Sequence, residues 1–270
     1  MPDVLARSLM SLKRRLAGRH EPDAALLARY TSASDAAAFA ELVRRHGPVV
    51  LGVCRRMLGH VHDAEDAFQA IFLVLARTAR SVRKPEAVSS WLYGTAVRVC
   101  RKARRKRGSA LARGLETPQR TAAVAADDPF AEVAWKEVRG LLDDEVGRLP
   151  EALRAPLILC YFDGLTRDEA AEKLGWSRRT LMRRLDKARE RLRIRLTRRG
   201  VATVALGAAV LAPAELSARV PEEMVKAAIA VGTGGSVPVG VQALADGAAS
   251  VKLLHLAMGM TLLLAGGGIG

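Results

Sequence analysis

Aromatic side chains are scarce, at 4% of 270 residues. Any core must therefore be built mainly from Leu, Val, Ile and Ala, a palette that favours helices. Cysteine is equally thin: Cys54, Cys100 and Cys160 stand far apart without a CxxC pair. That spacing excludes a disulfide framework, suits a reducing compartment and leaves each thiol as a small core residue. Joining Cys54 to His60 and His62 gives no standard zinc spacing, so no metal is expected. The chain also lacks a phosphate-binding loop, a dinucleotide fingerprint and a nucleophile elbow. GTGGS at 232–236 has no lysine to serve as a phosphate loop. Neither catalytic residues nor a cofactor are expected. No alternating run of convincing strand length occurs, and the first 20 residues hold no apolar stretch suited to secretion.

Positive charge is abundant. The net charge is +15 with a sequence pI near 10.6, which points to a polyanionic partner. The charge is unevenly spread. Residues 201–270 contain three basic and four acidic side chains, so the first 200 residues carry +16. Composition therefore changes near Gly200. A second change falls at 108–130, which is polar, Ala-rich and weakly periodic and reads as a flexible linker. The expected organisation is a basic lead-in over 1–22, an all-α unit over 23–107, the linker, a second all-α unit over 131–199 and an apolar extension over 200–270.

In the first unit, DAAAFAELVRRHG forms a helix capped at Ser34 or Asp35 and stopped at Gly47-Pro48, and PVVLGVCRRMLG forms a second helix ending at Gly59. HDAEDAFQAIFLVLARTAR is a third, with Ala67, Ile71, Val74 and Thr78 inward and Phe68, Phe72 and Leu75 widening the stripe. PEAVSSWLYGTAVRVCRKARRKR is a fourth. It ends in seven basic residues between 98 and 107 with no acidic one, and WLY precedes that cluster. Aromatics beside a basic helix can stack on unpaired bases, although Trp91 also suits the core.

In the second unit, FAEVAWKEVRGLLDDEVGRLP gives one or two helices ended by Pro150, and EALRAPLILCYFDG another stopped by Gly164. The carboxylates Asp143, Asp144 and Glu145 read as helix-surface charge, as do Asp63, Glu65 and Asp66. A metal-dependent nuclease or recombinase would have to use one of these clusters. TRDE at 166–169 fits a capping box. A turn at Gly175-Trp176 and a cap at Ser177 then start a helix whose stripe is Leu181, Leu185, Ala188 and Leu192. Helix, short glycine turn and helix make a helix-turn-helix. From 177 to 199 there are eleven basic residues and two acidic ones. The N-terminal end of such a helix enters the major groove, where arginine can grip guanine with two hydrogen bonds. This places Arg178, Arg179, Thr180 and Arg183 near bases and Arg184 and Lys187 near phosphates.

HDAEDAFQAIFLVL with SSWLYGTAVRVCRKARRKR resembles region 2 of the extracytoplasmic-function (ECF) sigma factors of bacterial RNA polymerase. LPEALRAPLILCYFDGLTRDEAAEKLGWSRRTLMRRLDKARERL resembles their region 4. The likeness covers about 24–197 in the family's order. It implies that the protein binds core RNA polymerase and directs it to promoter DNA. It also implies that the DAED helix docks on polymerase through Asp63, Asp66, Gln69 and Phe72. The segment from Ser81 to Arg105, with Lys84, Trp91, Arg98, Arg101, Lys102 and Arg105, would then read and open the minus-ten element, and the arginine helix would read the minus-thirty-five element. An anti-sigma factor is a further partner of the kind such proteins suggest. Two departures stand out: Ala70 where an acidic residue is common, and Arg178-Arg179 where an acidic residue and glycine are more usual. The competing reading is a stand-alone helix-turn-helix regulator, which would dimerise and bind a palindrome unaided.

After Gly200, PEEMVKAAIAVG reads as a short amphipathic helix. Residues 253–270 hold 18 residues without a formal charge after Lys252, just short of the roughly 20 that span a bilayer. Two readings stay open: a membrane contact tethering a cytoplasmic protein to the inner membrane, or a helix packed on the body. The chain ends within this apolar run, which fits a fragment of a longer protein.

Overall fold

A computed structural model describes residues 21–113, 129–201 and 218–246, with side chains described from 137 onward in the second stretch. Residues 1–20 of the lead-in, most of the linker and residues 253–270 lie outside the described residues. Among the described residues every regular element is helical.

Helix α1 (Asp23–Ala33) ends in Ser34, which adopts a left-handed conformation. Sequence periodicity did not mark this helix, because its apolar face is short. Helix α2 (Ala36–Leu58) starts at Asp35, whose carboxylate accepts from the N–H groups of Ala37 and Ala38 at 2.9 and 3.1 Å. The expected stop at Gly47-Pro48 does not occur, and two expected helices are one. A single buried stripe, Leu42, Val43, His46, Val50, Val53, Cys54 and Met57, passes through the proline. Burial along that stripe outweighs the one N–H that proline lacks.

Helix α3 (Val61–Thr78) buries the expected face, with Ala67, Phe68, Ile71, Phe72 and Leu75 fully enclosed. Two 3-10 turns, Ala79–Ser81 and Pro85–Ala87, lead into α4 (Val88–Ala112), which continues five residues into the expected linker. Helix α5 (Pro129–Gly147) is a single helix, followed by α6 (Glu151–Tyr161), α7 (Arg167–Lys173) and α8 (Arg178–Arg198). Helix α9 (Glu222–Gly232) is the amphipathic helix read from the tail, and residues 239–246 are also helical.

Helices α2, α3 and α4 pack on one another at the centre. Helix α5 lies against α2 and α4, α6 bridges α4 and α8, and α9 covers α3 and α2. One apolar cluster therefore runs through both sequence units and the tail. A smaller one, built on Ala155, Leu159, Ala170, Ala171, Leu174 and Leu181, seats the helix-turn-helix.

The helix-turn-helix forms as its local chemistry dictates. Thr166 and Glu169 close the capping box, and Ser177 Oγ accepts from the Thr180 N–H at 3.2 Å. Gly175 turns the chain at φ 64°. A side chain there would occupy a left-handed conformation that costs roughly 1–2 kcal/mol. Gly175→Ala is expected to destabilise the protein by about 1 kcal/mol, read as a lowered urea midpoint.

Candidate nucleic-acid and polymerase interface

Helix α8 divides its positive charge between two jobs. Leu181, Leu185, Ala188, Leu192 and Leu196 are buried, so the helix is pinned along one side. Its C-terminal half turns inward: Arg199 pairs with Glu145 at 2.9 Å, and Arg195 approaches the same carboxylate at 3.4 Å. Its N-terminal half faces solvent. Arg178, Arg179, Arg183 and Lys187 are exposed, and Thr180 is half-buried. Arg178 approaches the exposed Asp168 at 3.4 Å, a surface pair of little energetic weight. Arg184 is half-buried, its guanidinium stacked 3.9 Å from the Trp176 ring centroid.

Three of the cations of α4, Arg98, Arg101 and Lys102, are engaged within the fold, while Arg104, Arg105 and Lys106 are exposed. Arg101 donates to the Asp144 carboxylate at 2.5 Å and to the Asp144 carbonyl at 2.6 Å. Lys102 donates to the Ala243 carbonyl. Arg98 reaches Thr95 Oγ1 at 2.8 Å, and burial, followed by the neighbouring Arg154, pushes its pKa down to about 10. Trp91 is 9% exposed and belongs to the core. Lys84 lies 4.8 Å from the Trp176 centroid, on the same indole as Arg184. Arg105 is exposed. Of the six candidates for the minus-ten element, Arg105 is thus the one whose side chain points freely outward.

Arg101 is held by the acidic run on α5. Asp143, Asp144 and Glu145 are 1%, 7% and 2% exposed, which corrects their reading as helix-surface charge. Asp143 receives Arg56 Nε at 2.6 Å, Arg56 Nη2 at 3.1 Å and the Tyr93 hydroxyl at 2.5 Å. Burial, then Asp143, pushes the Tyr93 phenol well above its ordinary value. Trp176 and this acidic run are the elements that sequence reasoning missed. The available signal was three adjacent carboxylates facing two arginine-rich helices.

On α3, Asp63 pairs with Arg107 at 2.8 Å, and Asp66 stays exposed. Burial, then the like charges of Asp63 and Glu65, raise the Asp66 pKa. Gln69 is half-buried. Phe72 is fully enclosed, 5.0 Å from the Phe68 centroid and 6.5 Å from that of Phe39. It shapes the helix from inside and presents no free face. Among the described residues, no group of three or more His, Cys, Asp or Glu side chains could hold a metal ion, and no helix is long and apolar enough to cross a membrane.

Residues 42–110 match the family described as Sigma-70 region 2, and residues 139–192 match Sigma-70, region 4. The chain is 34% identical over 180 residues to the ECF RNA polymerase sigma factor SigM of Mycobacterium tuberculosis, a match covering 65% of this chain and 85% of that protein. It is 30% identical over 169 residues to the ECF RNA polymerase sigma factor SigW of Bacillus subtilis, covering 60% and 90% respectively. With the ECF RNA polymerase sigma factor SigE of Mycolicibacterium smegmatis it shares 30% identity over 155 residues, 57% of this chain and 59% of that protein. Ordered matches to both regions, the second carried on a helix-turn-helix with an outward arginine face, place the chain in the ECF subfamily of RNA polymerase sigma factors, which direct core polymerase to promoters.

Proposed function

We propose that the outward end of α8 reads the upstream promoter element through Arg178, Arg179, Thr180 and Arg183, with Arg184 and Lys187 on flanking phosphates. The segment from Lys84 to Arg105 reads the minus-ten element, and α3 docks on core polymerase through Asp63, Asp66 and Gln69. Residues 23–107 and 131–199 act as separate modules in this scheme, with nucleotide addition left to the polymerase. The observation that carries the upstream reading is the open tip of α8, where Arg178, Arg179, Arg183 and Lys187 are exposed.

A chain in this arrangement offers DNA the tip of α8 and the exposed Arg104, Arg105 and Lys106 of α4. Alone it binds promoter fragments weakly and loses that binding steeply as salt rises. With core polymerase, specific initiation appears. In vitro transcription over a promoter library, with and without the chain, tests this, and no gain in specific starts defeats it. Arg183→Ala is expected to cut discrimination at one upstream base pair by about tenfold, within the 1–3 kcal/mol of a two-bond guanine contact. Its co-purification with core polymerase stays unchanged. An anti-sigma factor acts on this scheme by competing for the surfaces of the two modules. Contact of 253–270 with the inner membrane belongs to the same proposal and is tested by flotation of the full chain with lipid vesicles.

A further inference from the structure

Residues 218–246 lie outside both family matches, and the match to SigW spans 90% of that protein while using 60% of this chain. The two modules thus have a counterpart that is complete, or nearly so, without this segment. Here it is well seated. Met224, Ala228 and Val231 of α9, with Val241, Leu244 and Ala245, are buried in the main cluster. The Ala218 N–H donates to the Pro48 carbonyl at 2.9 Å, and the Tyr30 hydroxyl donates to the Gly232 carbonyl at 2.8 Å. Gly232 lies so close to the body that a Cβ there would stand 2.2 Å from Phe39 Cε1.

The second half of the segment crosses α3. A Cβ on Gly240 would sit 3.2 Å from Asp66 Oδ2. Arg77, near the other end of α3, donates to Asp246 at 3.0 Å and to Gln242 at 2.7 Å. The Ala243 carbonyl takes the Lys102 ammonium. One short helical stretch thereby occupies the flank of α3 beside Asp66 and engages a cation of α4 through a backbone carbonyl. Its ion pair is open to solvent, with Arg77 and Asp246 side chains 39% and 58% exposed, so the polar part of the hold is weak.

We infer that residues 218–246 are a built-in cover for the docking flank of α3, one that core polymerase must displace to form holoenzyme. This rests on the reading of α3 as the polymerase-docking helix. The cover competes in cis: its effective concentration is fixed by the chain, so the intrinsic affinity of α3 for core is reduced by the fraction of molecules that are closed. Displacement would also free Lys102 for DNA.

The test is hydrogen exchange on the full chain, free and bound to core polymerase. Amides of 222–232 and 239–246 are expected to be protected in the free chain and to lose protection in the complex, while those of α3 stay protected. Val241→Asp/Leu244→Asp, confined to the tail, is expected to raise affinity for core about tenfold, and Gly232→Leu, driven off by Phe39, to do the same. Tail amides that remain protected in the complex overturn the cover. Asp66→Arg separates the two claims. If it leaves core binding intact, the docking reading falls and the cover with it. If it abolishes binding while the wild-type tail stays protected in the wild-type complex, only the cover falls.

Discussion

Asp143→Ala is expected to cost about 3–5 kcal/mol of folding free energy, the range for removing one partner of a buried ion pair. Asp143 is the carboxylate against which α5 meets both α2 and α4. It accepts two hydrogen bonds from Arg56, at 2.6 and 3.1 Å, and one from Tyr93 at 2.5 Å. Burial works against the charged form of Arg56, and Asp143 outweighs it, holding the guanidinium pKa above its ordinary value. Without the carboxylate the cation remains inside with its counter-charge gone. Urea unfolding of the variant should show a clearly lowered midpoint. Arg56→Met/Asp143→Leu should recover most of the loss, because replacing both charges with apolar groups removes the desolvation penalty together with the attraction. A double variant as unstable as Asp143→Ala would mean that the pair is not what couples the helices.

This coupling bears on function as well as stability. Asp144 and Glu145 continue the same run and take Arg101, Arg148, Arg195 and Arg199. The acidic run thus spends positive charge from both modules on each other. Of these arginines only Arg101 belongs to the proposed minus-ten surface, so the proposed function requires Arg101 to leave Asp144 in holoenzyme.

Elements whose signal is local were legible in the sequence. The capping box at Thr166, the Ser177 cap, the Gly175 turn and the Leu181–Leu192 stripe each depend on neighbours within a few residues, and each stands where the pattern placed it. The face of α3 was legible for the same reason. Polar contacts between distant segments were not. Asp143 reads as surface charge because periodicity registers polarity and carries no information about a partner 87 residues away in the chain. Pro48 misled in the opposite direction: a local breaker was overridden by burial spread along the whole of α2. Phe72 shows the limit for site residues. The apolar stripe and the family likeness both selected it, for incompatible places, and it lies in the stripe. The tail shows another limit. Its helix over 222–232 was visible as an amphipathic pattern, but the surface that receives it was not, since α3 presents its outer flank to that helix only in three dimensions.

Asp23→Asn should cost about 3 kcal/mol at pH 7 and measurably less, though still a substantial part of it, near pH 3. Asp23 is 4% exposed and meets Arg45 at 2.6 Å, Lys173 at 3.2 Å and His46 at 3.4 Å. Burial pushes its carboxyl toward protonation, but His46, Lys173 and Arg45 together prevail and hold the pKa far below the usual carboxylate range. In the unfolded chain the same group titrates near 3.9. Between those two values the unfolded state binds the extra proton, so stability rises with pH there. The contribution is complete above about pH 5 and drains away as pH falls through 4 and below. Asparagine has no proton to exchange, so it lacks the contribution at every pH, and the gap between wild type and variant must narrow on acidification. Urea midpoints at pH 7 and pH 3 measure it, and an equal penalty at both would show that Asp23 acts by packing alone. Lys173 lies on α7 and Asp23 at the start of α1, 150 residues apart. A double-mutant cycle with Lys173→Met therefore reads how much of the effect couples the helix-turn-helix to the first module, and a coupling energy near zero would assign the whole effect to Arg45 and His46.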